Sequence, residues 1–351
     1  MAQIESLSSQ PSLLNNKIFS TAIRYVLMIL VAFLFFGIIL LISGTNPLQA
    51  FRDIFTSTLG SAYGFSEVLV AMTPILITAL AVALPSRIMM INVGAEGQLL
   101  IGAAFATWGA LTFPNLPGWA LIPLMMVLGF LGGAVWSFIP AYLKSIGLVN
   151  ETISSLLLNS VAPNILGFLI YSFWYSPMDV NKTANFVNAA RLPTFFGSRI
   201  SLGFFLGLAL LMIFWAVMKY TRWGLEMRAI GGNAQASRRN GIPLKSYMIL
   251  VFCIGGGISG LAGMVQASGF YGTLITNFSM GWGFMGFLIS WLAGGDPIGI
   301  LLMSFVVSVI LSGGNLLQIT QGIPYAVINI LLAFTLFVVL AKPTFFKRSK
   351  A

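Results

Sequence analysis

Residues 86–113 read SRIMMINVGAEGQLLIGAAFATWGALTF, and this stretch decides the fold. Its second half is apolar enough for a membrane span, yet its first half carries Asn92, Glu96 and Gln98 in close succession. A carboxylate at the centre of a bilayer costs on the order of 3 kcal/mol, so such a group faces protein or a water-filled cavity. Asn92 and Glu96 share a helix face at i, i+4, while Gly94 and Gly97 flank the acid and weaken helix continuity. Two readings stay open. Either a broken helix lines a pathway, with Glu96 beside the unwound part, or Glu96 caps a half-helix beginning near Gln98 and touches no substrate.

The rest of the chain sets that stretch in a membrane. Of 351 residues, 58% are hydrophobic and 7% charged, against about 25% charged in ordinary soluble domains. A spanning helix needs roughly 20 apolar residues, at about 1.5 Å of rise each. About ten segments qualify, near residues 24–43, 66–84, 88–112, 119–140, 153–175, 200–218, 246–268, 280–293, 297–313 and 323–341. Leu, Phe, Ala, Met and Gly dominate them with no long period-2 alternation, so helices are expected and a barrel is not. The expected fold is all-α, a polytopic transmembrane bundle with some segments discontinuous. Residues 1–20 form a polar extension without the apolar core and cleavage site of a signal peptide, so the first helix is expected to be retained. Residues 21–345 form one membrane domain, and 346–351 a basic tail.

The net charge of +10 has a sidedness. In the ten-segment scheme 14 of the 18 basic residues, Arg87, Lys144, Arg228 and Lys245 among them, fall on one side. Arg52, Lys182, Arg191 and Arg199 fall on the other. The positive-inside rule then places both termini in the cytoplasm, and the basic excess needs no nucleic acid. Cys253 is the only cysteine and lies in an apolar segment, so no intrachain disulfide forms.

Two polar connections are long. The outer one spans residues 176–199 and the cytoplasmic one residues 219–245, KYTRWGLEMRAIGGNAQASRRNGIPLK. In the second, Gly231-Gly232 breaks the preceding structure and Asn233 is a good N-cap. Residues 234–239 suit about two helical turns ending on Arg238 and Arg239. Asn240-Gly241 supplies a left-handed C-terminal cap, and Pro243 blocks continuation. The pattern predicts a short capped basic helix on the membrane face, a docking element for a cytosolic partner.

Other polar residues sit inside spans. Asn159, Pro163 and Asn164 interrupt the fifth segment; Asn159 either satisfies a freed backbone group or faces a pore. Glu151, after Asn150, suits the cytoplasmic start of that helix. Gly255-Gly256-Gly257 with Gly260 and Gly263 forms a small-residue face for close helix packing. Trp108, Trp174 and Tyr175 are interfacial anchors or stacking surfaces for a base.

Several chemistries are excluded. No Lys follows a Gly, so no G-x-x-x-x-G-K-[ST] phosphate loop exists. Without histidine there is no Ser-His-Asp triad, H-E-x-x-H zinc site or imidazole relay. Gly294-Gly295-Asp296 has no second intramembrane Asp to act with, and Asp296-Pro297 reads as a turn. The chain is not expected to be an enzyme by itself.

INVGAEGQLLIGA (91–103), GLVNETISSLLLN (147–159), TRWGLEMRAIGGNAQASRRNGI (221–242) and GWGFMGFLISWLAGGDPIGILL (281–302) together give a resemblance. In this order they resemble the permeases of bacterial ABC importers of the ribose/branched-chain amino acid type. The Gly-Ala-Glu-Gly-Gln run is most similar to the larger permease of nucleoside (guanosine-like) and simple-sugar importers. The resemblance covers roughly residues 65–340. It implies a permease of the bacterial inner membrane, with a second permease subunit, identical or different. It also implies cytosolic ATPases that bind the ATP and magnesium, leaving this chain no cofactor of its own, and an extracytoplasmic lipoprotein that delivers a small-molecule substrate. It further implies a coupling role for Arg228, Gly231, Gly232, Asn233, Arg238, Arg239 and Gly241. The Glu-Ala-Ala run of many ABC permeases is not present before the glycine, so position and Gly231, Asn233 and Gly241 carry that role. Asn92, Glu96, Gln98, Asn159 and Asn164 are the pathway candidates. The alternative is a secondary transporter using Glu96 for ion coupling.

Overall fold

The computed structural model describes residues 34–334 apart from 36, 43, 177–180, 323–325, 328–329 and 331–332. The polar extension, the start of the first predicted segment, most of the tenth and the basic tail lie outside the described residues. Two compact units are formed, Met1–Ser57 with Gly313–Ala351, and Thr58–Ser312.

In chain order the helices are α1 (helical over residues 37–42), α2 (Pro47–Leu59), α3 (Ala62–Ser86), α4 (Ala95–Thr112), α5 (Gly118–Ser145), α6 (Glu151–Ser172) and α7 (Leu202–Tyr220). They continue with α8 (Arg222–Gly232), α9 (Ala234–Arg239), α10 (Leu244–Gln266), α11 (Trp282–Leu292) and α12 (Pro297–Gln321). A π-helical turn, Ala267–Tyr271, extends α10. Among the described residues there is no strand, only two isolated antiparallel bridges, Lys182 with Ile275 and Thr194 with Ser201.

Among the described residues six helices (α3, α5, α6, α7, α10 with its π turn, and α12) are long and apolar enough to cross a membrane, and α11 is a shorter apolar helix. Two predicted segments differ from plain spans. The third, marked near 88–112 with a break expected around Glu96, has its helix begin at Ala95; Arg87–Met89 form a turn, and Met90–Val93 are neither helix nor strand. The eighth is the 11-residue α11, about 16 Å long and roughly half the hydrocarbon thickness. The amphipathic helix α2 and the polar helix α8 were not foreseen, because a search for apolar runs passes over both.

The core of the larger unit is held by glycines. A Cβ on Gly102 of α4 would overlap Gly260 Cα and the Gly129 carbonyl. One on Gly133 of α5 would overlap the Gly256 carbonyl, and one on Gly263 the Leu99 carbonyl. Three helices thus touch backbone to backbone. Between membrane helices, where the hydrophobic effect gives no drive, this van der Waals fit supplies the attraction. The small-residue face read from α10 has this purpose, and its partners are Gly102, Gly129 and Gly133. In the smaller unit, Gln321 Nε2 donates to Asp53 Oδ2 at 2.8 Å, and Phe35 stacks on Phe334 with centroids 3.7 Å apart.

Candidate functional site: a junction of two helix starts

After α3 ends at Ser86, the chain turns and is irregular from Met90 to Val93 before α4 starts. The neighbour of this segment is α11. The two segments lie side by side, pinned at both ends. At one end the Arg87 guanidinium donates to the Gly295 carbonyl just beyond α11. At the other, Glu96 Oε2 accepts from Gly283 N–H at 2.7 Å, in the first turn of α11. The backbones meet here too, since a Cβ on Gly283 would overlap Glu96 N and Cα.

Helix starts expose four amide donors without intrahelical partners, and the dipole favours a negative charge there. Glu96 answers that need for α11. The helix it caps lies 187 residues along the chain, so the expected cap of its own half-helix is corrected: Glu96 stands in the first turn of α4 but is spent on α11. The Thr78 hydroxyl of α3 is shared between the Pro74 carbonyl at 2.8 Å and the Trp282 carbonyl at 3.0 Å. A Cβ on Gly286 would strike the Thr78 hydroxyl and the Ala79 backbone, so α11 lies directly on α3.

The start of α4 is held by amides. Asn92 and Gln98 face each other in a reciprocal pair, with Asn92 Nδ2 to Gln98 Oε1 and Gln98 Nε2 to Asn92 Oδ1 both 3.0 Å. Asn92 Oδ1 also accepts from Gly94 N–H at 3.0 Å, an Asx turn that aims the chain into the helix. From α6, Asn159 Nδ2 donates to the Val93 carbonyl and its Oδ1 accepts from Gly97 N–H, each at 2.8 Å. One side chain thus satisfies both an acceptor and a donor of the broken segment. Ser259 of α10 donates to the Ala95 carbonyl at 2.6 Å. All four residues, Asn92, Glu96, Gln98 and Asn159, are buried.

Asn164 stands apart from this cluster. It is exposed midway along α6, and its Nδ2 donates to the Ser160 carbonyl at 2.7 Å. Glu151 at the start of α6 is buried and 2.7 Å from Lys144 Nζ, while Asn150 caps the helix by accepting from Thr152 N–H at 2.8 Å.

The connection between α7 and α10 forms two short helices. Thr221 caps α8 through Gly224 N–H at 3.1 Å. The α9 helix has the capping read from its sequence. Asn233 Oδ1 accepts from Ala236 N–H at 3.0 Å. At its other end Gly241 N–H bonds the Arg238 carbonyl and Ile242 N–H the Ser237 carbonyl, both at 3.1 Å, with Gly241 at φ +83°. That pair of bonds is a Schellman motif. The predicted residues divide by use. Arg228 Nη1 donates to the Met218 carbonyl at 2.6 Å and closes the end of α7. Gly231 lies so close to the Arg87 carbonyl that a Cβ would overlap it. Gly232, Asn233, Arg238, Arg239 and Gly241 are exposed. Sequence reasoning missed Arg87 as a hub. It touches α8 through its carbonyl, the end of α11 through its guanidinium, and the Phe214 ring at 5.5 Å. Burial pulls its pKa down from the usual arginine value, and Asp296 opposes that.

A polytopic helical bundle with two helix starts buried in its core, and a structured polar connection between two of its spans, is an architecture found among membrane transporters. The chain matches, over residues 64–340, the family described as the permease component of the branched-chain amino acid transport system, and it belongs to that family. It is 32% identical to the glucose ABC transporter permease protein TsgB13 of Haloferax volcanii, over 92% of this chain and 88% of the relative. It is 30% identical to the nucleoside ABC transporter permease protein NupB of Lactococcus lactis subsp. cremoris, over 94% and 93%. It is 28% identical to the guanosine ABC transporter permease protein NupP of Bacillus subtilis, over 85% and 86%. The protein is therefore a multi-pass membrane permease subunit of an ABC transporter, a class that works with an ATPase and a substrate-binding partner.

Proposed function

We propose that this chain is one half of the conduit of an ATP-driven importer for nucleosides or related sugar-bearing compounds. It would lie in the bacterial plasma membrane with both termini cytoplasmic. The second permease, identical or different, completes the conduit, and an extracytoplasmic lipoprotein delivers the substrate. The observation that carries this reading is α11 pinned at both ends. Its start is held by Glu96 inside the apolar layer, and its end is held by Arg87, whose carbonyl meets the α8–α9 connection. A push on α9 from a cytosolic ATPase would reach the interior through one short rigid element. Substrate class follows from the relatives named above, two of which are permeases for nucleosides or guanosine and one for glucose. The mid-span exposure of Asn164 suits a wall facing water, since an amide facing lipid is costly.

Ion coupling through Glu96 is not favoured. A carrier carboxylate must reach water and titrate, whereas this one is buried and engaged by the start of α11. The test is the double variant Arg238→Glu with Gly241→Pro, assembled with its ATPase and binding protein. Loss of substrate-stimulated ATP hydrolysis and of uptake is expected. Full coupling in that variant would refute the docking role of α9.

A further inference from the structure

We propose that a cavity of about 590 Å³ at the α9 end of the bundle is a binding site for an anionic phospholipid. It opens between the last residues of α5 and the first of α10, and Lys144, Arg238 and Lys245 line it. No carboxylate lines it. Lys144 is held by Glu151, but the Arg238 and Lys245 side chains are exposed and make no hydrogen bond or ion pair among the described residues. Cations left unmatched around a concavity favour an anion.

The remainder of the wall selects the kind of anion. Ile146, Ile242, Leu244 and Met248 supply apolar surface beside the charges. A free phosphate gains nothing from that surface, whereas a glycerophospholipid buries its glycerol and first methylenes there at about 0.8 kcal/mol per methylene. The location fits the same ligand. Both helices bordering the cavity are spans, and they end or begin at its rim, at Ser145 and Leu244. The cations therefore stand at the ends of two spans, near headgroup depth, and Met248, one turn into α10, lies on the membrane side of them. Schellman turns at Gly147 and Gly241 shape both rims; Gly147 has φ +77°, with Leu148 N–H on the Leu143 carbonyl at 3.0 Å. The rim is thus fixed backbone. This holds for either orientation of the chain and whatever solute is carried.

The full chain, purified and placed in nanodiscs of phosphatidylcholine containing one-fifth phosphatidylglycerol, is released from them and its bound lipids are weighed by native mass spectrometry. Phosphatidylglycerol adducts should exceed their bulk share. The variant Arg238→Gln with Lys245→Gln should weaken that preference roughly 25-fold, at about 1 kcal/mol for each charge. Lys219→Gln, away from the cavity, should leave it intact. Millimolar inorganic phosphate should not displace the lipid. Equal retention of both lipids, or a preference unmoved by the double variant, overturns the proposal. So does displacement by phosphate, which would make this a simple anion site. Unchanged lipid retention with lost ATPase co-purification would overturn it too, assigning the charges to that partner.

Discussion

Glu96 and Gly283 lie 187 residues apart in sequence and 2.7 Å apart in space, carboxylate oxygen to backbone N–H. Together with hydrogen bonds from Ser279, Gly281 and Phe284 to the same carboxylate, this bond lets the first turn of α4 close the first turn of α11 in the buried interior. Removing the acceptor should therefore cost more than a surface cap. Glu96→Ala is expected to lower stability by about 2 kcal/mol, the upper range for caps. Glu96→Gln, which keeps an acceptor of similar shape but no charge, should lose about half of that. Thermal unfolding of the detergent-purified protein would measure both, and equal stability of all three would show that the bond contributes nothing.

Asn159 holds two backbone groups at once, and two substitutions differ in what they keep. Asn159→Asp retains the acceptor for Gly97 N–H but sets an oxygen against the Val93 carbonyl. Asn159→Ala leaves both groups unmatched, at about 1–3 kcal/mol each for buried groups. Both variants should be destabilised, and leucine at the nearby exposed position, Asn164→Leu, should be nearly neutral for folding. Denaturation midpoints would separate them. Under the transport reading, Asn164→Leu should instead reduce uptake while leaving the fold unchanged.

Arg87 joins α8, α11 and α7. Arg87→Ala removes the donor to Gly295 and the contact with Phe214. The expected phenotype is folded protein that binds its ATPase but hydrolyses ATP without responding to loaded binding protein. Arg87→Lys keeps the charge but not the planar fork and should restore only part of the response. A wild-type response in Arg87→Ala would remove the hub from the account.

Gly260 and Gly232 form a contrast. A methyl at Gly260 would overlap the Gly129 carbonyl, and overpacking of this kind costs about 1–3 kcal/mol. At Gly232, the last residue of α8, nothing lies within 4 Å, and Gly232→Ala should stabilise by about 0.5 kcal/mol. Thermal shifts of opposite sign are expected, and a neutral Gly260→Ala would show that the three helices can move apart.

Acid should act on α8 before it acts on the spans. Glu226 accepts from the Tyr247 hydroxyl and pairs with Arg222 at 2.8 Å. The hydroxyl bond and then the Arg222 contact hold its carboxyl below the ordinary 4.5. A depressed carboxyl contributes stability that is present above the unfolded value and lost as pH falls through the folded one. Hydrogen exchange of residues 222–232 should therefore be flat from pH 7 to about 4.5, after correction for intrinsic rates, and accelerate below that. Tyr247→Phe should shrink that acceleration, because the folded value of Glu226 returns toward the unfolded one, and an acceleration unchanged by the substitution would contradict the assignment.

What the sequence revealed and what it hid follow from distance along the chain. The α9 helix was readable because its caps, Asn233 and Gly241, act on residues three or four away. The small-residue face of α10 was readable because small residues in a span have few other uses. Glu96, Gln98, Asn92 and Asn159 were identifiable as polar groups that must be engaged, but the partners of Asn159 and Glu96 were not, since Gly97 and Gly283 lie 62 and 187 residues away and offer only backbone. The shortness of the eighth segment, preceded by Gly281 and holding Gly283, was the one available signal of a helix starting inside the membrane. The break before α4 was legible from Gly94 and Gly97, but its position was not, because Ile88–Ile91 are as apolar as a span.

The account stands on a conduit with no motor of its own. Proteoliposomes holding this chain with its companion permease, ATPase and loaded binding protein would measure uptake of radiolabelled nucleoside. Uptake that requires ATP and is indifferent to proton and sodium gradients is the predicted result. Accumulation by this chain alone under an ion gradient, without nucleotide, would contradict it.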